Sequence, residues 1–525
     1  MNFYYNTHVS KIDRCDPENV TGWELSSVET MFYNLFYRVQ RRAGHYFHFT
    51  AGDIMDRKTA LCRTSRRRFL KHTGGIAGGL AAGAISAEML MVPFRAKNVF
   101  ARSASDRPLI AAVGVGGMGS GDIAYAARFG DPVAICDVDL DRAEAVAAGF
   151  ERDGKRPRVF QDHRRMLDAC PEIEVVVQAT PDHWHTPVVL DCLDAGKDMY
   201  TEKPLCLTIA EGKMLRDAVA RTGRIVQVGT QQRSDSNFRR AVELVRNGRI
   251  GKLQKVLVVL PFWDTTGGPF PAQPVPPRLD WDRYQGQAPV HDYCPERSHF
   301  LFRWWSDYAG GIITDWGQHH MDIAYWGMNC QTGPQWVEGS ATFPNQGRPD
   351  CYDNPDRFVI RMGFPDDVEL LYFVAFDEKM RQSLTTEEES QLFATAQKDE
   401  LIEGNRNGIM FIGSEGRIFV NRGGAYGRAV QELAENPLPE DRIRLYESDD
   451  HMGNFFECVK SRAEPISTVA TAHRVITACH LGNVAIRTDR RIRWDAAHEE
   501  IVGDPEAAES KYVHRPQREP YGMKR

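Results

Sequence analysis

Apolar positions in residues 109–229 fall into short runs, separated by stretches with helical composition. Leu109–Val113 and residues 133–136 are apolar runs of strand length, and residues 122–129 between them favour helix. Arg158–Phe160 reads as a weak third strand and residues 163–170 as the helix after it. Residues 173–178 are strongly β-branched, 186–195 helical, Asp198–Thr201 a strand, 211–222 helical and 225–228 a sixth strand. Strands that alternate with helical crossovers predict an α/β fold, here an N-terminal doubly wound parallel (Rossmann) sheet over residues 105–229.

Beyond Gly229 the pattern changes. Residues 238–247 are helical and stop at Gly248-Arg249-Ile250-Gly251, residues 255–260 form a strand, and the proline- and glycine-rich stretch 267–277 is loop. Trp336–Thr342 and residues 357–364, 369–375, 408–412 and 417–420 are strand-like and bounded by turn residues, with no helices between them. Helices are expected over 452–461 and 468–487. Residues 230–500 are therefore expected to form an α+β domain with a large, mostly antiparallel open sheet. Residues 501–525 are expected to be a tail packing back on the body.

The first hundred residues read differently. Ser65-Arg66-Arg67-Arg68-Phe69-Leu70-Lys71 precedes a mildly apolar, Gly/Ala-rich run over 74–92. This is the pattern of a twin-arginine signal over residues 55–101, which predicts the twin-arginine export machinery as a partner and a periplasmic or otherwise exported location. Glu88 and the glycines make 74–92 a poor bilayer span, so no stable membrane span is expected. Met55 stands where such a signal starts, and residues 1–54 are read as a non-native N-terminal extension. Of the 525 residues, 42% are hydrophobic and 26% charged, and a net charge of −6 gives no reason to expect a nucleic-acid partner. The 11 cysteines contain no CxxC pair and are not spaced as a disulfide framework.

Candidate chemistry begins at Gly114-Val115-Gly116-Gly117-Met118-Gly119, between a strand and a helix. Gly114 permits the turn, Gly116 lets backbone N–H groups approach a pyrophosphate, and Gly119 allows close helix–strand packing. Asp137, at the end of the second strand, would accept hydrogen bonds from ribose hydroxyls. A carboxylate there repels a 2′-phosphate, so NAD is expected and NADP is disfavoured. Ligands of such sheets lie beyond the carboxyl ends of the strands, where Thr180-Pro181-Asp182-His183-Trp184-His185 and Thr201-Glu202-Lys203-Pro204 fall. Lys203 is an acid/base candidate there. In the second domain, a helix over 316–326 would align Asp315, His319 and Asp322 on one face, an arrangement suited to proton transfer. Two other readings stand beside it. Asp315 with Gln318 has capping-box spacing, and His183, His185, His319 and His320 would be the ligands of a metal site. No metal-ligand spacing is diagnostic, and no metal is assigned.

Together the glycine loop, Thr180-Pro181…His185, Glu202-Lys203-Pro204, Gly248…Gly251 and Asp315…His319…Asp322 resemble the glucose-fructose oxidoreductase/inositol dehydrogenase/rhizopine-catabolism (Gfo/Idh/MocA) family, from about Arg107 to the C-terminus. The nearest likeness is to exported members with a Leu279-Asp280-Trp281-Asp282 stretch and a similar tail. The resemblance implies a cofactor site of Gly114, Gly116, Gly117, Met118, Gly119, Asp137, Thr180, Pro181, His185, Glu202 and Lys203, with Tyr200 in the same cleft. It implies catalysis by Lys203 on the substrate hydroxyl, His319 as partner and Asp315 as orienter, with Arg233 also touching substrate. It further implies a cis Lys203-Pro204 bond and a homo-oligomer, dimer or tetramer. The expected activity is oxidation or reduction of a secondary hydroxyl of a sugar, sugar derivative or cyclitol. Redox-neutral glycoside cleavage through a keto-sugar, with NAD recycled, is the alternative. A non-catalytic sugar or dinucleotide sensor is the third reading. Specificity is expected from the loops over 263–277 and 291–305.

Overall fold

Six parallel strands, in the order β3-β2-β1-β4-β5-β6, form the first sheet of the computed structural model, which describes residues 107–152, 154–374, 386–387 and 407–523. The extension over 1–54 and the signal over 55–101 lie outside the described residues. The strands are β1 (Leu109–Val113), β2 (Asp131–Cys136), β3 (Arg158–Phe160), β4 (Val175–Gln178), β5 (Asp198–Thr201) and β6 (Val226–Val228). Helices α1 (Gly117–Ala126), α2 (Leu140–Gly149), α3 (His163–Ala169), α4 (His185–Asp194) and α5 (Ile209–Thr222) cross between them. Every residue of β4 and β5 is buried, as parallel strands covered on both faces must be. Local signals set the boundaries. The Thr208 hydroxyl accepts from Glu211 N at the start of α5, and Gly223 ends that helix at φ 62°. Helix α1 starts at Gly117, five residues before the apolar pattern suggested. Glycine's low helix propensity concealed the first turn.

The second sheet has nine strands in the order β13-β12-β11-β7-β10-β9-β8-β14-β15. They are β7 (Leu253–Leu260), β8 (Trp336–Thr342), β9 (Arg357–Gly363), β10 (Glu369–Val374), β11 (Gly408–Gly413), β12 (Arg417–Asn421), β13 (Gly424–Tyr426), β14 (Ile492–Asp495) and β15 (Glu500–Val502). Only β7 and β10 pair in parallel; the other neighbours are antiparallel. The edge strands β13 and β15 and the neighbouring β14, of three or four residues, are too short for alternation to reveal them. Helices α6 (Ser236–Arg246), α7 (Trp281–Gln285), α8 (Ile312–Met328), α9 (His451–Ser461) and α10 (Val469–Thr488) belong to this half, with four-residue helices at Arg428–Gln431 and Pro505–Ala508. Helix α8 starts earlier than expected, after Gly311 at φ 70°. Asp315 therefore lies inside its first turn and is not the cap. Gln318 is no capping-box partner either; its Oε1 accepts from Leu205 N at 2.8 Å. A side chain at Gly317 would overlap the Tyr372 hydroxyl, so glycine there lets α8 lie against β10. Among the described residues no helix is long and apolar enough to cross a membrane.

Buried contacts join the halves. Arg233, in the turn after β6, meets Asp322 of α8 through both ends of its guanidinium, at 2.6 and 2.8 Å, and stacks over Trp326. The C-terminal segment lies on the first half. Carbonyls of Tyr512 and Val513 accept from Ile209 N and Ala210 N, and Arg515 pairs with Glu211 at 2.8 Å. Arg518 and Tyr521 both bond Asp282, at 2.7 Å each.

Two stability measurements follow. Arg233→Ala strands a carboxylate that is 1% exposed, so unfolding by denaturant should show a loss of about 3–5 kcal/mol; a loss below about 1 kcal/mol contradicts the clamp. His183, His320 and His480 have no exposed surface, and burial pushes their imidazoles down to about 3, 3 and 4. Below about pH 6.5 the unfolded chain takes up protons that these folded rings refuse, so stability falls with pH between about 6.5 and 4. The slope is on the order of 1 kcal/mol per histidine per pH unit. A melting temperature flat across that window contradicts this account.

Candidate active site

The glycine turn connects β1 to α1 at the carboxyl edge of the first sheet. Gly114 has φ +77°, and a Cβ there would lie 2.8 Å from Thr180 N, so the turn and the loop after β4 are in contact. A Cβ on Gly119 would overlap the Gly114 carbonyl, whereas Gly117 faces open space. Gly116 occupies the cap position of α1 with no side-chain cap, and the first turn holds no acidic residue. The N-terminal N–H groups and the positive end of the helix dipole are thus left for an anion. Met118, 51% exposed, stands beside them. Asp137 accepts from Val115 N at 2.8 Å and from Asp139 N at 2.9 Å. Burial pushes its carboxyl up, against those bonds and the charge of Arg142. These features fit a dinucleotide with pyrophosphate at the turn and ribose at Asp137.

Two strands along the same edge, roughly 10 Å at ordinary strand spacing, β5 ends at Thr201 and Lys203 follows two residues on. The Lys203–Pro204 bond is cis. Lys203 Nζ lies 3.0 Å from Asp315 Oδ1, and both side chains are 12% exposed. The same oxygen meets Arg303 Nε at 3.2 Å. Burial raises the Asp315 carboxyl, but the charges and hydrogen bonds of Lys203 and Arg303 prevail and hold it at about 2. His319, one helical turn on, is 5% exposed and has a buried Nδ1 with no hydrogen-bond partner among the described residues. Burial first, then the charges of Lys203 and Arg422, pull its imidazole well below the ordinary value. It is neutral at neutral pH and able to accept a proton.

Other expected residues hold this edge together from behind. His185 is 1% exposed and bridges backbone, with Nδ1 2.5 Å from Pro204 O and Nε2 2.8 Å from Thr180 O. Burial lowers it to about 4 despite the two carbonyls, so a neutral ring donates to one and abuts the other. It therefore fixes Thr180-Pro181 against Lys203-Pro204, and neither ring nitrogen is left for a cofactor. Glu202 is likewise turned inward, accepting from Gln231 at 2.7 Å and from Lys203 N at 3.2 Å; Tyr200 is 2% exposed and belongs to the core. Arg233 is spent on Asp322, which removes it from the substrate role expected for it. His183 and His320 bond Tyr284 O and Asn407 Oδ1, at 2.8 and 2.7 Å.

Two participants escaped the sequence reading, and a third, Asp182, stands in the cluster after β4 with no role assigned to it. Arg303 comes from a short 3-10 turn and lies over Phe300 and Phe302 at 4.6 and 4.7 Å; its only signal was an arginine among aromatic residues in a loop. Arg422 covers the Trp316 ring at 4.8 Å, more than a hundred residues away in sequence. Asp182 is 3% exposed with an unpartnered Oδ2. Burial, then the charge of Asp315, pushes its carboxyl up to about 7.

Comparison with known proteins identifies the family. The oxidoreductase family described as having an NAD-binding Rossmann fold matches residues 109–230, and its C-terminal alpha/beta domain matches residues 262–353 and 402–523. The inositol 2-dehydrogenase of Rubrobacter xylanophilus is 37% identical over 259 residues, 47% of this chain and 59% of that protein. The alpha-N-acetylgalactosaminidase of Shewanella oneidensis is 28% identical over 209 residues, 36% of this chain and 44% of that protein. The chain thus spans about half the length of the curated relatives it matches. The WlbA dehydrogenase of Bordetella pertussis, solved with NADH and UDP-GlcNAcA, superposes with a TM-score of 0.51 at 17% identity, covering 74% of this chain and 99% of that one. That likeness concerns the fold. With both of its domains matched in order, the chain belongs to the Gfo/Idh/MocA oxidoreductase family and carries its NAD-binding Rossmann domain.

Proposed function

We propose that this protein is an NAD-dependent oxidoreductase acting on a secondary hydroxyl of a sugar, sugar derivative or cyclitol. The observation that carries the reading is the 3.0 Å pair of Lys203 and Asp315 on the sheet edge that bears the glycine turn. NAD bound by the turn over 114–119, the start of α1 and Asp137 would supply the hydride acceptor. Asp315, ionised and held by two cations, fixes the direction of the Lys203 amine. Lys203 then presents N–H donors to the substrate oxygen, where negative charge grows as the O–H proton leaves, before it is drawn into the carbonyl as hydride departs from carbon. Neutral His319, whose Nδ1 has no hydrogen-bond partner among the described residues, takes the hydroxyl proton. Similarity to an inositol 2-dehydrogenase supports a polyhydroxylated substrate. Export through the twin-arginine route, expected from residues 55–101, and assembly as a homo-oligomer remain part of the proposal.

Redox-neutral glycoside cleavage is the second reading, favoured by the alpha-N-acetylgalactosaminidase among the relatives. There the same Lys203 and His319 would serve oxidation, elimination of the aglycone and re-reduction, with the nucleotide retained throughout.

Lys203→Ala should keep NAD affinity and lower kcat about 10²–10⁴-fold on the best hydroxyl substrate, with NADH absorbance as readout; an unchanged kcat contradicts the assignment. Denaturing the purified protein and identifying what it releases separates the two readings. Simple dehydrogenation predicts little nucleotide and a need for added NAD. Cleavage predicts near-stoichiometric NAD and aglycone release without any addition.

A further inference from the structure

Away from the catalytic edge, a cavity of about 460 Å³ opens between α5, α10, residues 331–334 and the turn joining β14 to β15. None of its lining residues belongs to the Lys203 site. The charged side chains on its wall are Lys213, Arg216, Arg474 and Glu499, so with neutral histidines three positive charges and one negative leave +2. Glu499 is fully engaged, by Arg216 at 2.7 Å, His473 at 2.9 Å and Lys213 at 3.9 Å. The hydrogen bond from His473, helped by Arg216, holds its carboxyl at about 2. Arg216 is satisfied twice, since Asp217 meets its Nε at 3.1 Å.

Arg474 differs. Its Nε is buried without a partner, and its Nη2 reaches only neutral oxygens, Gln331 Oε1 at 3.3 Å and Thr471 Oγ1 at 3.4 Å. No carboxylate pairs with it among the described residues. A guanidinium left short of acceptors at a cavity wall, with Lys213 of α5 lining the same cavity, calls for an acid group to complete it. The remainder of the lining is of another kind. Trp494, Pro334 and Ala496 are apolar, and Thr332 and Thr477 carry hydroxyls, that of Thr477 lying 3.5 Å from His473 Nδ1. That combination suits a ring with hydrophobic C–H faces and polar edges, and the volume lies within the ordinary range for small-molecule sites.

From this cavity we infer a second ligand site, for an acidic monosaccharide whose anionic group sits between Arg474 and Lys213. The acid is a carboxylate or a phosphate ester, and the site is separate from the proposed reaction. Neither the turn at Gly114 nor the Lys203–Asp315 pair takes part, so the inference stands apart from the assigned activity.

Calorimetric titration of the full chain with glucuronate, glucose 6-phosphate and glucose tests it. At least one acid should saturate with a Kd of about 1 mM or tighter, glucose should not, and the tighter acid identifies the anionic group. Arg474→Gln and Lys213→Gln should each weaken that binding about tenfold without lowering the melting temperature. Lys203→Ala should leave it unchanged, which separates this cavity from the catalytic cleft. If Arg474→Gln does not fold, Lys213→Gln alone decides. Absence of saturation by both acids, affinity unmoved by both cavity variants, or loss of binding in Lys203→Ala would overturn the inference.

Discussion

One carboxylate holds two cations at the seam of this molecule. Lys203 arrives from the tip of a strand in the first half, while Asp315 comes from the first turn of α8 in the second, and each is 12% exposed. Charges so far removed from water persist only when paired and hydrogen-bonded. The pair therefore constrains how the halves meet, and neither half alone contains it. Arg303 adds a third charge to the same oxygen. Asp315 stays ionised, and the lysine amine keeps its direction.

Much of the surrounding architecture serves that placement. His185 spans the carbonyls of Thr180 and Pro204, binding two loops of the carboxyl edge into one surface. Gln318 holds the chain just after Pro204 to α8, and Arg233 with Asp322 locks the same helix to the exit of the first sheet. Residues conspicuous for their chemistry thus divide into two groups. Lys203 and Asp315 pair at the carboxyl edge with His319 one helical turn on, whereas His185, Glu202 and Arg233 are consumed by the scaffold that holds them.

The parallel sheet was legible because buried β-branched runs, glycine punctuation and an acid at the end of β2 all follow from local physics. The stripe of Asp315 and His319 was legible from helical periodicity alone. Local pattern failed where tertiary contact decides. Gly311 starts α8 early, so Asp315 reads as a cap in sequence but lies within the helix. Arg233 has the composition of a ligand residue, and only its bidentate contact with Asp322 shows otherwise. Arg303 and Arg422 reach the site from irregular or distant segments, and Asp182 matters through burial, which no spacing encodes. The three-residue strands β13 and β15 are too brief to show a period.

A double-mutant cycle on turnover tests the pairing directly, comparing Lys203→Ala, Asp315→Asn and the two combined. If the carboxylate acts by orienting the amine, the combined variant should be about as slow as Lys203→Ala alone, because residues that work as one unit are lost together. Losses in kcat that multiply independently would contradict the account, since Asp315 would then act on the reaction by a route that does not pass through Lys203.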